Sequence, residues 1–131
     1  MRQEDKDEIW HLARVTPGEA LNMSIGCPGM KRAVLLDGRV VFLYGVCDAG
    51  EGVGIPWMLA SQLLTKVRKQ FLRESKEALE EMFDGYHTLR NVAWSKNREH
   101  IRWLRWLGFE FKPAEPMGPD GELYHEFFKV K

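Results

Sequence analysis

RVVFLYGVCDAGEGVGIPWMLASQLLTKVRKQFLR, residues 39–73, reads as a strand, a glycine loop and a helix. Residues 39–46 are β-branched and aromatic without helical spacing, as in a buried strand. Gly50, Gly52 and Gly54 then crowd into seven residues, where the backbone turns sharply or approaches a ligand. Pro56 suits the first position of a helix, since its missing N–H is not needed there. Met58, Leu59, Gln62, Leu63 and Leu64 would form the packed face of that helix. Free amides and the positive dipole end at such a junction bind anions, a pyrophosphate above all. The same glycines would equally serve a plain turn between two packed elements.

Working outward, the amino-terminal side predicts two short helices and a hairpin. Residues 2–14 carry Ile9, Trp10 and Ala13 at helical spacing among charges. Thr16-Pro17-Gly18-Glu19 is a helix start with a capping box, and that helix ends near Gly26. Asp37-Gly38 joins strands 33–36 and 39–46, because a two-residue hairpin turn needs positive φ at both central positions.

On the carboxyl side, residues 70–83 read as a helix with Phe71, Leu72, Leu79, Met82 and Phe83 inward and Gly85 as its stop. Lys66, Arg68, Lys69 and Arg73 form a basic cluster for solvent, phosphate or another protein. Residues 88–94 read as a strand, parallel to and near strand 39–46 through a right-handed crossover. The glycine loop would then leave the carboxyl end of its strand, where open α/β sheets place ligands. Residues 97–107 read as a helix capped by Asn97. Trp103 and Trp106 belong to its core arc, His100 is packed within it, and Arg98, Arg102 and Arg105 share an outward stripe. Gly108 ends it. Strands follow from 109 and over 123–130, with a Pro119-Asp120-Gly121 turn between.

The length of 131 residues fits a single domain, 1–131, with a real core. A hydrophobic share of 44% with 29% charged residues is that of a soluble globular chain. Net charge is zero, so no global field draws nucleic acid or an anionic membrane. Cys27 and Cys47 match no zinc or redox motif, and no signal peptide or membrane-length apolar run is present. An intracellular chain with reduced thiols is the expectation. His11, His87, His100 and His125 lack metal-ligand spacing.

Residues 92–109, VAWSKNREHIRWLRWLGF, resemble the carboxyl-terminal motif of GNAT acetyltransferases, in which a strand leads to an Asn, a helix and Gly-Phe. Three stretches bring the chain closer to a GNAT-related phage group, the internal virion protein A family of podophages: IPWML at 55–59, FLRES at 71–75 and IRWLRWLGF at 101–109. The tail FFKV fits as well. The GNAT resemblance implies an α/β fold with a mixed, mostly antiparallel sheet, helices on both faces and a parallel central crossover. It implies acetyl-CoA at Val46, Gly50, Gly52, Val53, Gly54 and Asn97, its pantetheine arm pairing between splayed strand ends like an added strand.

Two working positions depart from the enzymes. Laid on their pyrophosphate motif, Gly52-Val53-Gly54 supplies glycines, but Ala49 stands where Gln or Arg is expected, and Pro56 removes a nearby amide. The tyrosine that protonates the departing thiolate falls at Leu104, which has no proton to give. Glu51 and Tyr44 are the nearest substitutes as base or acid. The resemblance therefore implies a catalytically degenerate phage or prophage protein acting in virion assembly. Its partners would be other phage structural or morphogenesis proteins or a second copy of itself, with no membrane and no strong nucleic-acid signal. It would work in the host cytoplasm or within the virion. The alternative is an active acetyl-CoA-dependent N-acetyltransferase.

Overall fold

The computed structural model describes residues 3–60 and 68–131. Two helices come first, α1 (Gln3–Ala13) and α2 (Pro17–Gly26). Thr16 caps α2, its hydroxyl accepting from the Glu19 amide while the Glu19 carboxylate accepts from the Thr16 amide. Strands β1 (Lys31–Leu36) and β2 (Arg39–Gly50) form the hairpin, with positive φ at both Asp37 and Gly38. A bulge sets Val34 opposite Phe42 and Leu35 opposite Val40, so that Val41 is extra and both Val41 and Phe42 are buried.

The glycine stretch departs from expectation. Strand β2 runs on to Gly50, turns at Glu51 and Gly52, and returns as β3 (Val53–Ala60), antiparallel to β2. The stretch is a second hairpin, whose turn has φ +56° at Glu51 and +77° at Gly52. A β-carbon at Gly52 would lie 2.4 Å from the His87 ring, and one at Gly54 would strike Val46 and Leu89. These glycines serve a tight turn and close strand packing. Pro56 lies inside β3 and starts no helix. In an extended strand the N–H and C=O of one residue share an edge, and the Pro56 carbonyl faces away from β2, toward Asn91. The missing N–H thus costs the β2–β3 ladder nothing. The expected helix residues Gln62, Leu63 and Leu64, and the cluster member Lys66, lie outside the described residues.

Helix α3 (Arg68–Met82) follows, then β4 (Thr88–Trp94), α4 (Arg98–Trp106), β5 (Glu110–Phe111), β6 (Glu115–Met117) and β7 (Glu122–Val130). Among the described residues the strands form one sheet, ordered β1-β2-β3-β4-β7-β5, with β6 also on β7. The parallel neighbour of β4 is β3, not β2. The expected crossover exists, but the second hairpin moves its origin one strand along.

One face of the sheet carries Val46, Leu89, Ala93 and Phe127 against Leu79 and Met82 of α3 and Leu104 and Leu107 of α4. The other face meets α1 and α2. There the Tyr124 hydroxyl donates to the Glu8 carbonyl, and the His11 ring lies 5.2 Å from that of Trp94. Cys27 and Cys47 are joined as a disulfide, correcting the expectation of free thiols. Backbone pairing brings them together: Val46 N–H donates to Met30 O and Asp48 N–H to Pro28 O. A β-carbon at Gly29, whose φ is +135°, would collide with the Val46 carbonyl, so the approach requires glycine.

Helix α4 buries Leu104 and Leu107 and half-buries His100, Ile101 and Trp103, but Trp106 is 46% exposed, with the Lys76 ammonium 4.5 Å above its ring. The arc expected to be core was too wide by that residue. Leu104→Ala should destabilise the fold by about 2–5 kcal/mol. Trp106→Ala should change it by less than about 1 kcal/mol. Urea titrations of the two variants read the difference directly.

Candidate functional site: a cleft through the sheet

Strands β3 and β4 pair only at Val53–Thr88 and Gly54–Leu89 and then part. A cavity of about 1010 Å³ opens in the splay and reaches both faces. Its wall includes Pro56, Met58, Asn91 and Val92 at the strand edges, Tyr44 and Trp103 on the α3–α4 side, and Ile9 and Leu12 from α1.

The parted edges carry backbone groups that the ladder no longer satisfies. Amides along a strand alternate between its edges. Thr88 N–H points to β3, reaching Gly52 O at 3.4 Å, so those of Val92 and Trp94 point into the splay. Each has an acceptor from the chain itself. The Asn91 side-chain carbonyl takes Val92 N–H at 2.8 Å, and its amide donates across the gap to Pro56 O at 2.7 Å. The Glu8 carboxylate on α1 takes Trp94 N–H at 2.8 Å.

Glu8 is the centre of a wider polar cluster. The same carboxylate oxygen stands 3.4 Å from His100 Nδ1 and accepts from Asn97 Nδ2 at 3.5 Å. Asn97 Nδ2 also donates to Asp5 at 3.0 Å. Burial, then the Glu8 charge, raises the Tyr124 hydroxyl above the usual tyrosine value, keeping it a donor to the Glu8 carbonyl. At the far end of α1, Asp120 receives His11 at 2.8 Å and Arg14. The His11 hydrogen bond, aided by the Arg14 charge and opposed by burial, lowers the Asp120 pKa.

The residues singled out in the sequence fall into three places. Gly50, Glu51, Gly52, Val53 and Gly54 lie at the β2–β3 turn, at the amino end of β3, whereas the splay opens at its carboxyl end. The Gly50 amide binds no outside anion there, because it donates to the Asp48 carboxylate at 2.8 Å. Val46 is fully buried under α3 and α4. Asn97, also fully buried, holds the N-cap position of α4 without capping it, its amide turned to α1. Tyr44 does line the cavity; burial, then the neighbouring Glu81, raises its pKa. Tyr44 and Glu51 are seven residues apart along one hairpin arm, roughly 20 Å, and do not meet.

Sequence reading missed Glu8 and Asn91. Glu8 looked like one of many helix-surface carboxylates, and a polar residue inside a strand was the only signal for Asn91. Among the described residues, no group of three or more His, Cys, Asp or Glu could hold a metal ion. None of the described helices is long and apolar enough to cross a membrane.

A sheet that splays beside its central crossover, with two helices on each face, is the GNAT fold, and solved structures agree. The chain superposes along its full length on 93% of a Bacillus subtilis acetyltransferase solved with CoA, at TM-score 0.69 and 10% identity. A GNAT-family acetyltransferase from Streptococcus pneumoniae aligns over 92% of this chain and 78% of its own, at TM-score 0.64 and 11% identity. The aminoglycoside acetyltransferase AAC(6')-Ib, solved with coenzyme A and kanamycin, matches 94% of this chain with 81% of its own, at TM-score 0.64 and 15% identity. At such identities the likeness establishes the fold.

The family model for the bacteriophage T7 probable scaffold protein Gp13 matches residues 34–114, well over half of the chain, and the chain belongs to that family. No curated protein matches it in sequence.

Glu8→Ala should cost about 1–3 kcal/mol by stranding the Trp94 amide, and Glu8→Gln less, because an acceptor oxygen remains. Denaturant midpoints of the two variants would separate them. The depressed Asp120 pKa makes that carboxylate stabilising above its ordinary unfolded value near about pH 4. The contribution is lost as pH falls through the lower folded value. Wild type should therefore exceed Asp120→Asn in stability at neutral pH, and the gap should close on acidification in paired pH titrations.

Proposed function

We propose that this chain is a phage assembly protein of the internal virion kind, a single GNAT-like domain whose ligand cleft is closed by its own side chains. One observation carries the reading. The Pro56 carbonyl and the Val92 and Trp94 amides, which would pair the pantetheine arm in an acetyl-CoA-binding GNAT enzyme, are engaged by Asn91 and Glu8. Two further features support it. The position of the acid tyrosine holds Leu104, 4% exposed in the core. The segment leaving the carboxyl end of β3, Ser61-Gln62-Leu63-Leu64-Thr65-Lys66-Val67, contains no glycine. Such a protein acts by contact with other morphogenesis proteins in the host cytoplasm and in the particle, and membership of the phage scaffold family agrees with that setting.

The second reading is an acetyl-CoA-dependent N-acetyltransferase. The cavity favours it, since a space of about 1010 Å³ with Tyr44 in its wall is large enough for a ligand. Calorimetry with acetyl-CoA separates the two. The assembly reading expects no binding, or a Kd weaker than about 100 µM, less than roughly 5.5 kcal/mol. Micromolar binding with turnover of an amine acceptor would replace it with the enzyme.

A further inference from the structure

The outer surface of α3 and α4 carries charge that the neutral total conceals. On α3, Lys69, Arg73 and Lys76 stand at i, i+4 and i+7 on one exposed flank. Glu74, Glu77 and Glu81 occupy the other flank, which turns to β1, where Glu81 meets Arg32 at 3.2 Å. The basic flank turns to α4, as the Lys76 contact with Trp106 shows. On α4, Arg98, Arg102 and Arg105 repeat the spacing, and all three are exposed. Six cations thus border one half-exposed indole on two adjacent helices. Glu80, at the end of the α3 stripe, and Glu99 are the acids among them. Among the described residues, no carboxylate pairs with Lys69, Arg73, Arg98 or Arg102.

We propose that this ridge binds single-stranded nucleic acid, the cations following phosphates and Trp106 stacking on a base. A row of like charges at helical spacing matches a repeating anion, and a surface indole adds a π-face that every base can use. An acidic protein would satisfy the cations but has no use for the indole. The ridge lies on the outward face of the helices, although Arg102 and Trp106 also reach the rim of the cavity.

Fluorescence anisotropy with the whole chain and a labelled oligothymidine of about 20 nucleotides, in about 50 mM salt, tests the assignment. Binding should weaken steeply with salt. Arg73→Glu with Arg102→Glu should weaken it about tenfold or more and flatten the salt slope by about 0.7 for each phosphate no longer neutralised. Trp106→Ala should weaken it about five- to a hundredfold and leave the slope unchanged. Circular dichroism checks the fold, and if the double variant fails to fold, Lys69→Glu gives the same readout. Absence of binding, or binding indifferent to the charge reversals, overturns the proposal. So does displacement by polyglutamate at equal charge, which would assign the ridge to an acidic protein, tighter binding of a duplex of the same length, or displacement by CoA, which would put the anion in the cleft.

Discussion

Two strands that run parallel for two residue pairs and then diverge leave open hydrogen-bonding groups in the middle of a sheet. A buried amide without an acceptor costs about 1–3 kcal/mol, so the splay must be filled. An enzyme with this fold can leave that task to its cofactor. Here Asn91 spans the gap as a side-chain amide standing in for a peptide unit, and Glu8 arrives from α1 to take the next amide along. The placement of α1 follows from this, because none of its described residues is buried. Polar ties hold it: Glu8 at the cleft, Tyr124 on the Glu8 carbonyl, and His11 and Arg14 on Asp120. Gly118 lets that last loop come close, since a β-carbon there would strike the His11 carbonyl.

Much of the frame was legible because its signals are local. Asp37-Gly38 dictates a hairpin turn, Thr16 and Glu19 form the capping box that their spacing implies, and residues 88–94 are the strand that their composition predicts. The motif through Asn97 to Phe109 carried the fold family. The glycine stretch misled because positive φ at two adjacent positions serves a hairpin turn as readily as a phosphate loop. Pro56 misled for a related reason, since the edge on which a missing N–H falls depends on how the sheet is paired. Trp106 was assigned to the core by a helical arc that ignored how α3 meets α4.

The site itself was the least legible part, and the reason is physical. Glu8 and Trp94 are 86 residues apart, and only the completed sheet brings them together. Asn97 looked like a helix cap by position, yet its amide is spent on α1. The disulfide is likewise a product of strand pairing, formed where residues 28–30 lie along β2. Charge follows the same rule: a chain of zero net charge sorts acids and bases to opposite flanks of one helix.

The central claim is that the chain, not a ligand, fills the splay between β3 and β4. Amide hydrogen exchange at Val92 and Trp94, followed by NMR with and without acetyl-CoA, tests it most directly. Amides bonded to Asn91 and Glu8 should be protected in the free protein, with rates that acetyl-CoA leaves unchanged. Rapid exchange in the free protein, slowed when acetyl-CoA is added, would mean that the cleft is open and built to receive it.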